Sequence, residues 1–533
     1  MTRANGASSP RPADPARGRS ALGHGLLALR TGPVADARAS LLLAARLLEE
    51  DGDHEGALRA RLAAAEACWA MGDAAAYREV LGRPGSARGG LLERYLRGMT
   101  AVVGGPGPDF RTGFGELRGV VEEAVSASAA SSSEDDPERL LPAGAAALVL
   151  GDLAAAGELG GRALAIARAH NRTDLVPRAL EVLAYAELRL GRHVRARAHA
   201  EEGVHAAREA GETNLLAHHH AVLALVASLD DDAEAVAAFA AAADATAVRH
   251  GLAQARTLTQ WALARGDLAR GRAPEAAARL RPLVRTGPRG GHFAVRMMAV
   301  PCFVEAALSS GADGGADREE AADALAGYAV WAELGPDPQA SAQLLRCRAL
   351  LAADAGEDAA AEAYFAQALA RHEDLDGEFE RARTALQYGQ WLRRQRRPGQ
   401  AREALRDAHV AFERCGAGVW AGQAEGALRA TGAAVSTSAS AGGAAGVSGA
   451  SGRSGASGDG GSDLPPVLAQ LTPQQLRIAR QVAEGATNRE VARLLSVSPR
   501  TVDHHLRNVF AALGVRSRVE LSRLVARAEE DAG

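Results

Sequence analysis

Between Asn488 and Arg518 the chain gathers side chains that share one kind of chemistry: Asn488, Arg489, Arg500, Thr501, Asp503, His504, Arg507, Asn508, Arg516 and Arg518. These cations, amides, hydroxyls and one carboxylate are groups that bond phosphate oxygens and base edges. Other chemistry finds no support. No Ser/His/Asp set or carboxylate pair is spaced for catalysis, so no enzyme is expected. The chain contains no lysine at all. That rules out a Walker-A phosphate loop and a lysine Schiff base. His218-His219-His220 resembles a metal cluster, but successive helical residues point in different directions and no ligand one turn away completes a set. No metal and no cofactor are expected.

Short helices must hold those side chains. Thr472, Pro473 and Gln475 form a capping box, with Leu471 and Leu476 as its staple. Thr487 with Glu490, and Ser517 with Glu520, make two more. Ser498 caps a helix that opens on Pro499. Gly485 and Gly514 fall where helices should stop. The apolar positions predict three faces on one core: Leu476, Ala479 and Val482; Val491, Leu494 and Leu495; Val502, Leu506, Val509 and Leu513. The third helix keeps Arg500, Thr501, Asp503, His504, Arg507 and Asn508 off that stripe. A short Ser496-Val497-Ser498 turn joins it to the second. Two short helices, a tight turn and a polar second helix describe a helix-turn-helix.

This stretch resembles the LuxR-type (GerE-like) DNA-binding domain. The matching residues are Leu471-Thr472-Pro473, Ala483-Glu484-Gly485, Thr487 to Ala492, Ser498, Thr501-Val502, His505, Leu513-Gly514-Val515 and Ser517-Arg518. The resemblance implies a four-helix reader in which Asp503, His504 and Arg507 face base edges. Arg500, Thr501 and Asn508 would contact phosphates or edges. Asn488 and Arg489 would hold a phosphate at the start of the second helix, and Arg516 and Arg518 would grip the backbone. The fourth helix, with Val519, Leu521, Leu524 and Val525, would supply a two-fold contact for a homodimer on DNA. Gln475 stands where the family often has Glu, and it still completes the cap. Asp503 stands where many members have Lys. A carboxylate accepts from cytosine N4, so the family's base preference is not carried over.

Charge agrees with DNA as a partner. Leu471–Val525 holds nine Arg against four acids, a net of +5; the whole chain is at −4, so the remainder carries −9. A basic module on an acidic body is expected when one end meets phosphate. The excess of Ala, Gly and Arg suits a high-GC bacterial genome. Four scattered cysteines, Cys68, Cys302, Cys347 and Cys415, fit a reducing cytoplasm. The polar N-terminus carries no signal peptide, and no apolar run reaches membrane-spanning length.

The rest of the chain reads as helix after helix. Gly72-Asp73, Gly151-Asp152, Leu190-Gly191-Arg192, Asp230-Asp231, Arg270-Gly271-Arg272, Ser310-Gly311, Ala355-Gly356-Glu357 and Pro398-Gly399 recur at intervals of about forty residues, each before an Ala-rich helix, the gap from Gly72 to Gly151 being two such units with Pro106-Gly107-Pro108-Asp109 near its middle. That period predicts an α-solenoid of stacked helix pairs. The units resemble tetratricopeptide repeats in a long, loose form. Trp261, Trp331 and Trp391 lie on helical segments as core candidates, one of which could face a ligand on the concave side. Arg393, Arg394, Arg396 and Arg397 read as a solvated helix end.

The expected architecture is all-α: a disordered arm at 1–20, a tetratricopeptide-like domain at 21–432, an Ala/Ser/Gly linker at 433–466 and the reader at 467–533. The layout is similar to the C-terminal part of large ATP-binding LuxR-type regulators, without their ATPase; one could act in trans. Function is expected to be transcriptional regulation from promoter DNA, with a protein or small-molecule effector at the repeats. The alternative is an interaction scaffold with a vestigial helix-turn-helix.

Overall fold

The computed structural model describes residues 15–80, 90–103, 105, 107–129, 136–230, 232–285, 290–309, 314–373, 375, 377–432 and 473–483, with single positions from Val491 to Val525. Among these there are twenty-two helices, α1–α22 in chain order, and no strand. The chain is all-α. It divides into two compact units, Met1–Val435 with α1–α21 and Ser436–Gly533 with α22. Helix α1 (Pro15–Thr31) begins inside the stretch expected to be a disordered arm. The expected linker lies outside the described residues.

In the first unit each helix packs on the next, and two end signals recur. Stops use a glycine with positive φ, such as Gly72 at 68° and Gly151 at 85°. The next residue then donates five places back: Asp73 N–H to the Cys68 carbonyl at 3.2 Å, and Asp152 N–H to that of Ala147 at 2.9 Å. This is the Schellman closure, and glycine enters the left-handed region without a Cβ clash. Starts use aspartate. Asp53 accepts from the Gly56 N–H, Asp73 from Ala75 and Ala76, Asp152 from Ala155, and Asp232 from Ala235. In Gly72-Asp73 and Gly151-Asp152 stop and start are adjacent, which produces the sharp reversal within a pair.

The forty-residue series is half of the pattern. Gly52, Gly211, Gly251 and Gly416 also have positive φ and close the alternate helices. A break therefore comes about every twenty residues. One expected turn is displaced. Helix α20 (Pro398–Arg414) begins at Pro398, and the left-handed residue is Arg396, at φ 56°. Proline suits the first helical position, where its missing N–H costs nothing. Ser310-Gly311 and Asp231 lie outside the described residues.

Neighbour stacking alone would leave an open ribbon. Here helices ten places apart meet: α1 with α11 (Thr213–Ala227), and α3 (His54–Met71) with α13 (Ala253–Ala269). The Trp69 indole N–H donates to Gln254 Oε1 at 2.8 Å, and His292 Nε2 lies 2.7 Å from the Trp69 carbonyl. Asn214 Nδ2 donates to the carbonyls of Leu29 (2.8 Å) and Gly32 (3.0 Å). Further along, the Trp331 indole donates to the Val149 carbonyl at 3.1 Å, and Arg189 pairs with Asp337 at 2.8 Å. Successive coils are thus joined edge to edge.

The three consecutive histidines of α11 part company. His218 Nε2 lies 2.8 Å from the Tyr185 hydroxyl. The His219 ring fills the notch over Gly203, where a Cβ would come within 2.2 Å of the imidazole, and its Nε2 lies 3.0 Å from the Pro177 carbonyl. His220 is half-buried and stacks on Phe239.

Burial holds His218 at a pKa of about 3, and His219, His292 and His372 at about 4. All four rings are buried in the fold. Unfolding raises them toward about 6.5, so the unfolded chain binds more protons below that pH. Stability should be full above pH 6.5 and fall as pH drops toward 4, by on the order of 1 kcal/mol per histidine near pH 5. Urea midpoints by circular dichroism at pH 7.5 and 5 will check this. Gly203→Ala should lower the stability at pH 7.5 by about 1–3 kcal/mol through overpacking against His219.

Candidate functional site

Helix α22 (Pro473–Ala483) opens on Pro473, as the capping box requires; Thr472 lies outside the described residues. Ile478, Ala479 and Val482 of α22 are buried against Val491, Val502, Leu506, Val509, Leu521 and Val525. Leu476, Phe510, Leu513, Val515 and Leu524 cover the edge of this cluster. Ile478, which the sequence pattern leaves out, is fully buried, while Leu476 is only partly buried against the cluster. Val502, Leu506 and Val509 recur at intervals of four and three, a helical core stripe. The Val515 N–H bonds the Phe510 carbonyl at 3.0 Å, the five-back closure that ends a helix.

Two assignments change. Leu521 is fully buried and Val525 nearly so within this unit's own core, so neither can supply a two-fold contact. Their apolar surface is already spent on the small domain's interior. The polar candidates Asn488, Arg489, Arg500, Thr501, Asp503, His504, Arg507, Asn508, Arg516 and Arg518 lie outside the described residues, as do Leu494, Leu495 and Val519.

The first unit contains a cavity of about 420 Å³ that sequence reading did not find. The coil closure makes it. Trp69 from α3, Tyr185 from α9 (Val176–Arg189), Gln254 from α13, and Trp331 all line it. Of the three tryptophans raised as ligand-facing candidates, Trp331 borders this space. Trp261 and Trp391 are buried elsewhere, against Cys302 and against Phe365 and Tyr388. The wall is mostly apolar, with a polar side built on α9. There Arg178 donates to Glu66 at 2.6 Å. Glu181 sits 3.2 Å from His218 Nε2, its side chain 24% exposed. Burial pushes its carboxyl up to about 7, helped by the Glu66 charge and opposed by Arg178. No sequence spacing marks this site, because its walls come from residues as far apart as Leu26 and Trp331.

The described residues of this unit bring α22 and the Val502, Leu506 and Val509 stripe onto one small core. Residues 469–525 match the family of bacterial regulatory proteins, luxR family. The C-terminal segment is a LuxR-type helix-turn-helix domain. Over 51 residues it is 51% identical to a Mycobacterium tuberculosis protein named for an HTH-type transcriptional regulator, covering 10% of this chain and 6% of that one. Over 49 residues it is 41% identical to the nitrate/nitrite response regulator protein NarP of Escherichia coli, covering 9% and 23%. The chain thus spans less than a quarter of the length of these relatives. Among solved structures, a Rap protein complexed with Competence and Sporulation Factor matches at 11% identity and TM-score 0.34, covering 79% of this chain and 98% of that one. A monomeric IFIT1 mutant matches at 12% and 0.34, covering 79% and 95%. Likeness at this level carries no argument about either unit. Among the described residues no helix is long and apolar enough to cross a membrane.

Leu506→Ala removes a buried side chain from a core that has nine buried residues among those described. It should destabilise the C-terminal unit by about 2–4 kcal/mol. Amide exchange across 473–525 should speed up strongly while α1–α21 stay unchanged. Equal protection in the two proteins would contradict the packing described.

Proposed function

We propose that the chain is a sequence-specific DNA-binding transcription regulator acting in the cytoplasm, with the helical unit as its sensor. The single observation that carries this is the LuxR-type domain at 469–525, whose buried Val502, Leu506 and Val509 form one stripe of a helix. On a helix with that stripe turned inward, Asp503, His504 and Arg507 are the positions left for base edges, with Arg500, Thr501 and Asn508 beside them. Asn488 and Arg489 would bind a phosphate at the second helix's start, and Arg516 and Arg518 the backbone near the last turn. The net charge of +5 over Leu471–Val525 supports a polyanionic partner. The reader would occupy 467–533, tethered through an Ala/Ser/Gly linker at 433–466, and bind promoter DNA as a homodimer. An effector at the helical unit would set the output.

Genome-wide occupancy followed by fluorescence anisotropy on the recovered site tests this. Affinity should fall steeply with salt, in proportion to the phosphates neutralised. Arg507→Ala should cost about 1–3 kcal/mol on the recovered site and relax one base position. Arg489→Ala should weaken all sequences alike and reduce the salt slope by about 1. Salt-insensitive binding of a protein, with no enriched DNA site, would instead support a scaffold with a vestigial reader.

A further inference from the structure

The cavity on the inner side of α9 has a polar wall whose hydrogen-bond direction can be derived. An indole N–H only donates, so Trp69 fixes the Gln254 amide with Oε1 toward it at 2.8 Å. The Gln254 Nε2 group must then donate to the Tyr185 oxygen, at 3.3 Å. The Tyr185 oxygen and His218 Nε2 share one hydrogen at 2.8 Å, carried by either partner according to the histidine tautomer. The same Nε2 lies 3.2 Å from Glu181 Oε1, so one nitrogen is shared between two oxygens. Glu181 thus has at most a share of one donor on that side.

The arginines around the cavity supply no further donor. Arg178 donates to Glu66; Arg172 bonds Glu138 and Asp174; Arg30 lies 3.1 Å from Glu212; Arg189 bonds Asp337. Arg59 is exposed at the rim. Among the described residues no arginine donates to Glu181. Its accessible portion opens into the cavity, which Trp69 and Tyr185 also line. A buried carboxylate short of donors is costly, and it is satisfied by a group that brings both hydrogen and positive charge. Aromatic walls add attraction for such a cation. The volume, about 420 Å³, is in the range of small-molecule sites.

We infer that this cavity binds a small primary amine with an apolar or aromatic body, its ammonium donating to Glu181 and its body lying against Trp69 and Tyr185. The inference rests on the helical unit being the sensor, and it names the chemistry of what is sensed. Glu66 and Arg178 form the neighbouring pair that keeps the wall from being simply anionic.

Calorimetry and thermal shift on the full chain will test it with three probes: 2-phenylethylamine, 2-phenylethanol and 3-phenylpropionate. The amine should bind at least tenfold more tightly than the alcohol, and the propionate should not bind. Glu181→Gln should reduce amine affinity at least tenfold and leave the alcohol unchanged. Ala145→Phe, which places a ring in the cavity, should abolish amine binding while the helical circular dichroism is kept. This second variant and the probe comparison on the unaltered chain decide the matter even where Glu181→Gln fails to fold. Equal binding of amine and alcohol, unchanged amine affinity in Glu181→Gln, or no shift at millimolar amine would each overturn the inference. DNA affinity measured in parallel separates the two readings. Amine binding that leaves DNA affinity unchanged keeps the site and removes the sensor. Propionate binding that shifts DNA affinity keeps the sensor and removes the amine.

Discussion

The helical unit depends on hydrogen bonds that join helices ten places apart in the chain. Trp69 to Gln254, His292 to the Trp69 carbonyl, and Asn214 to the carbonyls of Leu29 and Gly32 are each a side chain of one coil meeting the other. Gln254 and Asn214 are buried, so losing one partner would leave the other unsatisfied away from water. Repeat stacking supplies most of the buried apolar area, yet it fixes only the relation of each helix to its neighbour. The coil bonds fix pitch, and pitch decides whether a space remains inside.

Stacking of near-neighbour helices also brings charge into the interior. Arg346 is fully buried and donates to Glu380 at 2.7 Å; Arg383, also buried, bonds Glu305 and Glu380 and lies 4.9 Å over the Trp420 ring. Burial pushes the Glu380 carboxyl up, but Arg383 and Arg346 outweigh it and hold it below the usual carboxylate range. An ion cluster of this kind is weak evidence for stability and strong evidence for geometry, since removing one member strands a charge. With aromatics at only 4% of the chain, alanine faces set close helix spacing, and these few Trp, Phe and Arg contacts give the layers their register.

The two units solve packing differently. The described apolar side chains of the reader gather in a single small core, from Ile478, Ala479 and Val482 to Leu521 and Val525. Its fourth helix spends Leu521 and Val525 inward, which removes them from any subunit contact. The helical unit is instead long enough to curl on itself, and its concave space is where sequence-distant polar groups can face one ligand.

Much of this was legible in one dimension. Gly-Asp pairs marked reversals because a left-handed stop and an aspartate start are local demands on the backbone. The third reader helix announced its core face through Val502, Leu506 and Val509, since a helix period is a property of the chain itself. The family register of 469–525 was readable for the same reason: caps, turn and stripe all sit within a short span. What the sequence could not show was Arg396 in the left-handed conformation, Ile478 at the core's centre, or the cavity at Trp69, Tyr185, Gln254 and Glu181. The last requires knowing that α3 meets α13. That meeting follows from small angles between helix pairs, summed over ten helices, and no local spacing encodes the sum.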